Sequence, residues 1–164
     1  MDDIRAKIVE TFGHRLRVRV CGMCFENGKV LLVNHRALNG HGDFWGPPGG
    51  GMDFGECAEE TLKREFLEET GIEIDISRFL FVHEYLSPPL HAIELIFLVR
   101  RIKGEIHIGY DPEMKHGDQI IKDVRFIDYK DIRKMDKRTV HQLFANFKTE
   151  REISQTGGYF RWLH

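Results

Sequence analysis

Apolar residues recur along the chain in two periods, and the changes of period mark its elements. Ile4, Ile8 and Phe12 are spaced by four, so residues 1–13 read as a short helix. From Arg15 the period becomes two. Leu16, Val18 and Val20 alternate with Arg15, Arg17 and Arg19, the pattern of a strand whose arginines form its solvated face. Glu26-Asn27-Gly28-Lys29 is a hairpin signal, and Val30-Leu31-Leu32-Val33 is its return strand. Residues 37–55 hold many glycines together with Pro47 and Pro48, and read as a loop system. Residues 57–70 form one helix, with Gly71 as its C-cap. Apolar runs at 79–82 and 92–99 are strand-like, residues 103–119 are a polar loop, and 124–127 is a short strand. Residues 138–150 read as a helix with Val140, Leu143, Phe144 and Phe147 on one face. The aromatic tail from Gly157 to Leu163 is expected to dock as an extended segment. This mixture predicts a mixed sheet sandwiched by helices, in one domain over residues 1–164.

Composition narrows the class. The chain has 164 residues, 41% hydrophobic and 30% charged, which suits a globular protein with a substantial core. Lys plus Arg number 24 and Asp plus Glu 26, a net charge of -2, which weighs against a dedicated nucleic-acid binder. No apolar run approaches the ~20 residues that span a bilayer, and Met1-Asp2-Asp3-Ile4-Arg5 lacks a signal-peptide core. Cys21, Cys24 and Cys57 cannot all pair within one chain, so a reducing cytoplasm is the expected location. Cys21 and Cys24 have zinc-like spacing, but no second pair accompanies them and both lie in a strand pattern. His35, His41 and His83 read as solvated loop residues, with a pocket wall as the alternative. Glu94 interrupts the apolar run Ala92-Ile93-Glu94-Leu95-Ile96, where alternation points it to solvent.

The informative stretch is Gly49-Gly50-Gly51-Met52-Asp53-Phe54-Gly55-Glu56 and the helix that follows. Glu65 and Glu69 fall one turn apart on the side marked inward by Ala58 and Leu62, with Glu68 on the flank. Carboxylates at i, i+3 and i, i+4 repel one another, and partial burial adds a desolvation cost. Arg64 offsets part of this. A hard divalent cation such as Mg²⁺ or Mn²⁺ suits the rest, because the donors are all oxygen. The plain alternative is a solvated acidic helix face laced with ion pairs. Gly49-Gly50-Gly51 frees backbone carbonyls to approach a metal and amides to approach a phosphate. Phe44 and Trp45, just upstream, can stack on a base or pack into the core.

Together, Gly50, five residues, Glu56, seven residues and Arg64-Glu65-Phe66-Leu67-Glu68-Glu69-Thr70-Gly71-Ile72 resemble the Nudix box, G-x5-E-x7-R-E-U-x-E-E-x-G-U. Phe66 departs softly, being aromatic where the family has an aliphatic residue. The run Trp45-Gly46-Pro47-Pro48-Gly49-Gly50 is also similar to the family's approach to its box. The resemblance implies a Nudix-type α/β/α sandwich and hydrolysis of a nucleoside diphosphate linked to another moiety, with Mg²⁺ or Mn²⁺. It implies Glu65, Glu68 and Glu69 as metal ligands, joined by a backbone carbonyl of Gly49 or Gly50, with Glu56 a further acid near the metal. Glu68, Glu69 and Arg64 would carry catalysis, Arg64 by orienting a box glutamate. Trp45, Gly50 and Gly51 would meet the substrate. The general base is left open between a box glutamate and Glu113 or Asp118 in the later loop. Pro88, past the box, resembles the subgroup acting on ADP-ribose and related nucleotide sugars, and nucleoside triphosphates are the runner-up. A non-catalytic nucleotide-sensing module is the competing class, but such modules often lose box acids that this chain retains. The expected partner is a small nucleotide, with no membrane, no nucleic acid and a homodimer as the family's habit.

Overall fold

A computed structural model describes residues 2–36, 42–112 and 119–162, with side chains from residue 6 onward. Its frame is an eight-stranded mixed sheet. The central strand β1, Leu16–Glu26, turns through Asn27 and Gly28 into β2, Lys29–Arg36. Both turn residues have positive φ (51° and 74°), the geometry whose twist matches a two-residue hairpin. β2 pairs antiparallel with β3, Asp43–Gly46, and with β7, Ile121–Asp128. β4, Gly49–Gly51, pairs antiparallel with β1, with Arg19 opposite Gly51 and Cys21 opposite Gly49. β6, Leu90–Lys103, runs parallel to β1 and sets Arg19 beside Glu94. β5, Glu73–Ser87, is joined to β6 through the Pro88-Pro89 turn, and the tail strand β8, Gly158–Phe160, adds in parallel to β5.

Helices cover both faces. α2, Ala58–Thr70, lays Leu62 and Phe66 on a core of Val20, Leu31, Val33 and Val99. A Cβ at Gly22 would lie 2.5 Å from the Phe66 ring, so the bare glycine on β1 makes room for the aromatic departure from the box pattern. The opposite face holds Met23, Leu32, Phe81, Ile96, Leu143, Phe144 and Ile153. Cys21 and Cys24 fall in these two separate cores. Burial pushes their thiols up to about 12 and about 11, which keeps them protonated and unfit for zinc. α1, Asp2–Phe12, buries Ile8 and Phe12 as its spacing predicts. Among the described residues no helix is long and apolar enough to cross a membrane.

Three expectations change. The stretch 138–150 is not one helix. Past the four-residue α3 at Tyr129–Ile132, it is a 3-10 turn at Lys137–Thr139, an extended Val140, α4 at Leu143–Asn146 and the start of α5 at Glu150–Gln155. Val140 is drawn into a bridge with Trp45, and Thr149 starts a fresh helix by accepting the Glu152 N–H at 3.1 Å. Residues 37–55 are not wholly loop, since β3 and β4 lie within them. The start of β1 is also reversed. Leu16 and Val18 are 60% and 42% exposed, while Arg17 and Arg19 turn inward to line a cavity. On the inner side Glu94 attracts the Arg19 guanidinium, and the Phe12 ring carries that of Arg17 at 4.0 Å.

Candidate active site

α2 is fixed at both ends by local chemistry. The Glu60 carboxylate accepts the Cys57 N–H at 2.8 Å, and Gly71, at φ 75°, donates its N–H to Leu67 O at 3.1 Å. Between these caps the 3.6-residue repeat that buries Leu62 and Phe66 also directs Glu65 and Glu69 under β4. The two are 7% and 4% exposed. A Cβ at Gly49 would lie 2.0 Å from Val20 O of β1, so only glycine lets the two strands meet this closely, and one at Gly50 would lie 2.3 Å from Glu65 Oε1 and displace that carboxylate. Gly49 also has φ 146°, which favours glycine. The Gly49 N–H donates to Glu69 Oε2 at 2.8 Å, and His35 Nε2 stands 3.2 Å from Glu69 Oε1.

Arg64 organises the other acids. Its Nε and Nη2 donate to the two oxygens of Glu56, both at 2.8 Å, a bidentate pair. Its Nη1 donates to Glu65 at 2.8 Å and Glu68 at 3.2 Å, and its Nη2 to Gly51 O at 3.3 Å. Glu56 also accepts the Thr61 hydroxyl at 2.9 Å. Arg64 holds the Glu56 carboxyl down at about 2. Glu56 is thus spent on orienting Arg64 rather than presented as a ligand. Glu65 is the reverse case. Burial, then the neighbouring Glu69, push its carboxyl up to about 8 despite Arg64. An all-oxygen cluster that cannot comfortably carry its own charge fits a hard divalent cation. The carboxylates do not converge by themselves. Arg64 holds Glu65 and Glu68, while Gly49 and His35 hold Glu69.

The raised Glu65 carboxyl has a measurable consequence. Between pH 4.5 and about 8 folded Glu65 keeps a proton that the unfolded chain has lost, so stability falls as pH rises through that window. Glu65→Gln should remove that slope. At about 1.4 kcal/mol for each pH unit across the window, chelated Glu65→Gln should be more stable than the parent at pH 8.5 by a few kcal/mol, less what the lost Arg64 contact contributes. Thermal melts in EDTA at pH 5 and 8.5 measure this, and equal slopes for both proteins would refute it.

Gly49 and Gly50 line a small cavity with Glu65, Glu69, His35, Arg19 and Asp111. Asp111 arrives on the loop after β6, which is held to α2 by Gly109 N–H donating to Glu69 O at 3.0 Å. Gly51 meets Arg64 through its carbonyl. Trp45 points away from this cavity. Its ring packs on the core and under the Arg125 guanidinium at 5.2 Å, whereas Phe44, on the other face of β3, lines the neighbouring slot. Glu113, Asp118 and His41 lie outside the described residues.

A second polar cluster adjoins the first. Glu94 is buried, not solvated. Its Oε2 stands 2.8 Å from both His83 Nδ1 and His141 Nε2, and its Oε1 3.5 Å from Arg19 Nε. Arg19 also donates from Nη2 to Gly49 O at 3.1 Å, tying this cluster to the glycine turn. Burial pushes the Glu94 carboxyl up, but His141, His83 and Arg19 together outweigh it and hold it well below the usual carboxylate range. Burial lowers His141 against the pull of Glu94. Among the described residues this is the group of three whose ligand atoms lie within 4.8 Å of one another. It does not suit a cation. His141 Nδ1 accepts the Leu143 N–H at 3.3 Å, which puts the ring proton on Nε2 facing Glu94, and Arg19 covers the other oxygen. In sequence, a glutamate within an apolar strand and the pocket-wall alternative for His83 are the hints of this cluster. His141 gives none, because it lies in an irregular segment. His83 and His35, expected in solvated loops, are buried on β5 and β2.

The sandwich and the glycine turn over a carboxylate helix define a Nudix-type α/β protein. The NUDIX domain family matches residues 13–147, and the chain belongs to that family. It is 33% identical over 96 residues to an ADP-ribose pyrophosphatase of Methanocaldococcus jannaschii, covering 57% of this chain and 56% of that protein. It is 31% identical over 93 residues to an 8-oxo-dGTP diphosphatase of Proteus vulgaris, covering 56% and 82%. The chain thus spans about half the length of the first of these relatives. Among solved structures, a NUDIX hydrolase from Nitrosomonas europaea superposes with a TM-score of 0.67 at 18% identity, covering 80% of this chain and 85% of that one. A MutT NUDIX hydrolase from Burkholderia pseudomallei gives 0.60 at 24% identity, covering 71% and 85%. These likenesses support the fold.

Proposed function

We propose that this chain is a Mg²⁺-dependent pyrophosphohydrolase that cleaves the diphosphate of a nucleoside diphosphate joined to another moiety, with an ADP-ribose-type nucleotide sugar as substrate. The observation that carries this is the pair Glu65 and Glu69, buried against Gly49 and Gly50 with the Glu65 carboxyl pushed up to about 8. Glu65, Glu68 and Glu69 would hold the cation, with Mn²⁺ as a substitute for Mg²⁺. A divalent ion bound there shields phosphate charge and acidifies a water. Arg64 keeps Glu65 and Glu68 in place by its ion pairs, and Glu56 keeps Arg64. Arg17 and Arg19, on the wall shared by the small cavity and the slot, face the anionic substrate. The base that takes the proton from water is a box glutamate or an acid of the later loop, where Asp111 joins Glu113 and Asp118 as a candidate. Water adds to one phosphorus, one P–O–P bond breaks, and ADP-ribose would yield AMP and ribose 5-phosphate.

The match to 82% of the 8-oxo-dGTP diphosphatase, a larger share than of the ADP-ribose pyrophosphatase, supports a nucleoside triphosphate reading as second choice. A panel of ADP-ribose, other nucleotide sugars, dinucleoside polyphosphates and (deoxy)nucleoside triphosphates with Mg²⁺ or Mn²⁺ tests both. Turnover should be greatest on the nucleotide sugars. Preference for a triphosphate would select the second reading, and binding without turnover would make the chain a sensing module.

A further inference from the structure

Three cavities follow one another away from the box. The small one beside Glu65 and Glu69 shares Arg17, Arg19 and His35 with a slot of about 80 Å³. That slot shares Phe44, Tyr85 and His141 with an open cleft of about 810 Å³. Of the three, the cleft has the volume of a small-molecule site, roughly 300–1,000 Å³. Its chemistry differs from that of the box. Lys137, Arg138 and Arg161 line it, and among the described residues no carboxylate does. Asp136, outside the lining, pairs with Arg138. Phe44, Tyr85 and Trp162 supply aromatic walls. Trp162 is fixed by stacking on Phe160 at 5.4 Å and by His83 at 4.6 Å, and His83 is anchored in turn by Glu94. Arg161 and Trp162 belong to the tail after β8, beyond the residues matched by the family.

Cations gathered around one cleft repel one another and raise the local potential, a cost that an anion offsets. Lys and Arg side chains recognise phosphate by charge-assisted hydrogen bonds. The aromatic walls suit a nucleoside, whose rings and phosphate would occupy adjacent parts of the same space. We propose that the cleft is a second anion subsite. It takes the nucleoside end of the substrate and selects compounds that carry a phosphate monoester on the nucleoside ribose, remote from the scissile diphosphate. The orientation rests on the pyrophosphohydrolase reading, whereas binding at the cleft does not.

The matched pair ADP-ribose and ADP-ribose 2′-phosphate tests this, by calorimetry and by steady-state hydrolysis in Mg²⁺. The phosphorylated ligand should bind about 10-fold more tightly, with the gain in KM rather than kcat. In the exposed double variant Lys137→Gln/Arg161→Gln the affinity ratio should fall towards one. Equal affinities in the parent protein overturn the proposal, as does a ratio that survives the double variant. Should inorganic phosphate at equal concentration abolish the preference without the nucleoside contributing, the cleft is a general anion trap and the proposal fails. A preference in binding without hydrolysis of either ligand leaves the subsite standing and refutes the hydrolytic reading. Hydrolysis of both with equal affinity does the reverse.

Discussion

Glu69→Gln is expected to lower kcat by about 10²–10⁴-fold, the range seen when a positioned acid-base or charge-stabilising group is removed. The side chain is 4% exposed and held between the Gly49 N–H and His35. The amide keeps one oxygen for Gly49, and His35 can change tautomer to accept from the new NH₂, so the fold survives while the charge is lost. Glu68→Gln should have a comparable effect by a different route. Its carboxylate is more accessible and accepts from Arg64, so the substitution removes an anion at the rim of the cluster without disturbing the core. Hydrolysis rates in saturating Mg²⁺, beside thermal melts, separate chemistry from folding. Near-parental turnover in both variants, with melts unchanged, would show that the box carboxylates do not carry the reaction.

The box helix is legible in the sequence because everything that fixes it is local. The Cys57–Glu60 cap, the Gly71 stop and the 3.6-residue repeat are all within reach of one another along the chain. The parts that mislead depend on contacts made far away. Alternation in β1 identifies two faces but not which is inside. Parallel pairing with β6 decides that, by placing Glu94 beside Arg19 and drawing the arginines inward, while Leu16 and Val18 face out. Trp45, expected at the substrate, packs on the core instead, while Phe44, left open between base and core, lines the slot, for a similar reason. Adjacent residues on a strand point to opposite faces, and a glycine-rich stretch carries no sign that residues 43–46 are a strand. In 138–150 the apolar spacing is real and Val140, Leu143 and Phe144 are buried, yet the bridge from Val140 to Trp45 breaks the helix that the spacing implies.

Glu94→Ala should be the most destabilising single change outside the apolar core. The substitution leaves the His83 and His141 N–H groups and the Arg19 guanidinium without their shared anion, in a site from which water is largely excluded. Removing one partner of a buried charged network costs about 3–5 kcal/mol, which corresponds to a fall in Tm on the order of 10 °C for a chain of this size. Glu94→Gln, which keeps an acceptor oxygen but not the charge, should cost less. The pH dependence has a definite sign. Because Glu94 sits well below its ordinary 4.5 in the folded chain, its stabilisation is present above that pH and is lost as pH falls below it. His141, lowered from 6.5, adds loss in the same direction from about pH 6.5 downward. Urea unfolding between pH 4 and 8 should therefore show the parent losing stability on acidification through His141, and Glu94→Ala, from its lower starting point, losing more per pH unit below about 6.5, because His141 stays buried without the carboxylate that opposes its lowering. The same variant releases Arg19, which donates to the Gly49 carbonyl, so hydrolysis should weaken as well, mainly in KM. If Glu94→Ala unfolds at the parental urea concentration, the two histidines and Arg19 do not depend on that carboxylate, and the cluster is incidental to both stability and site.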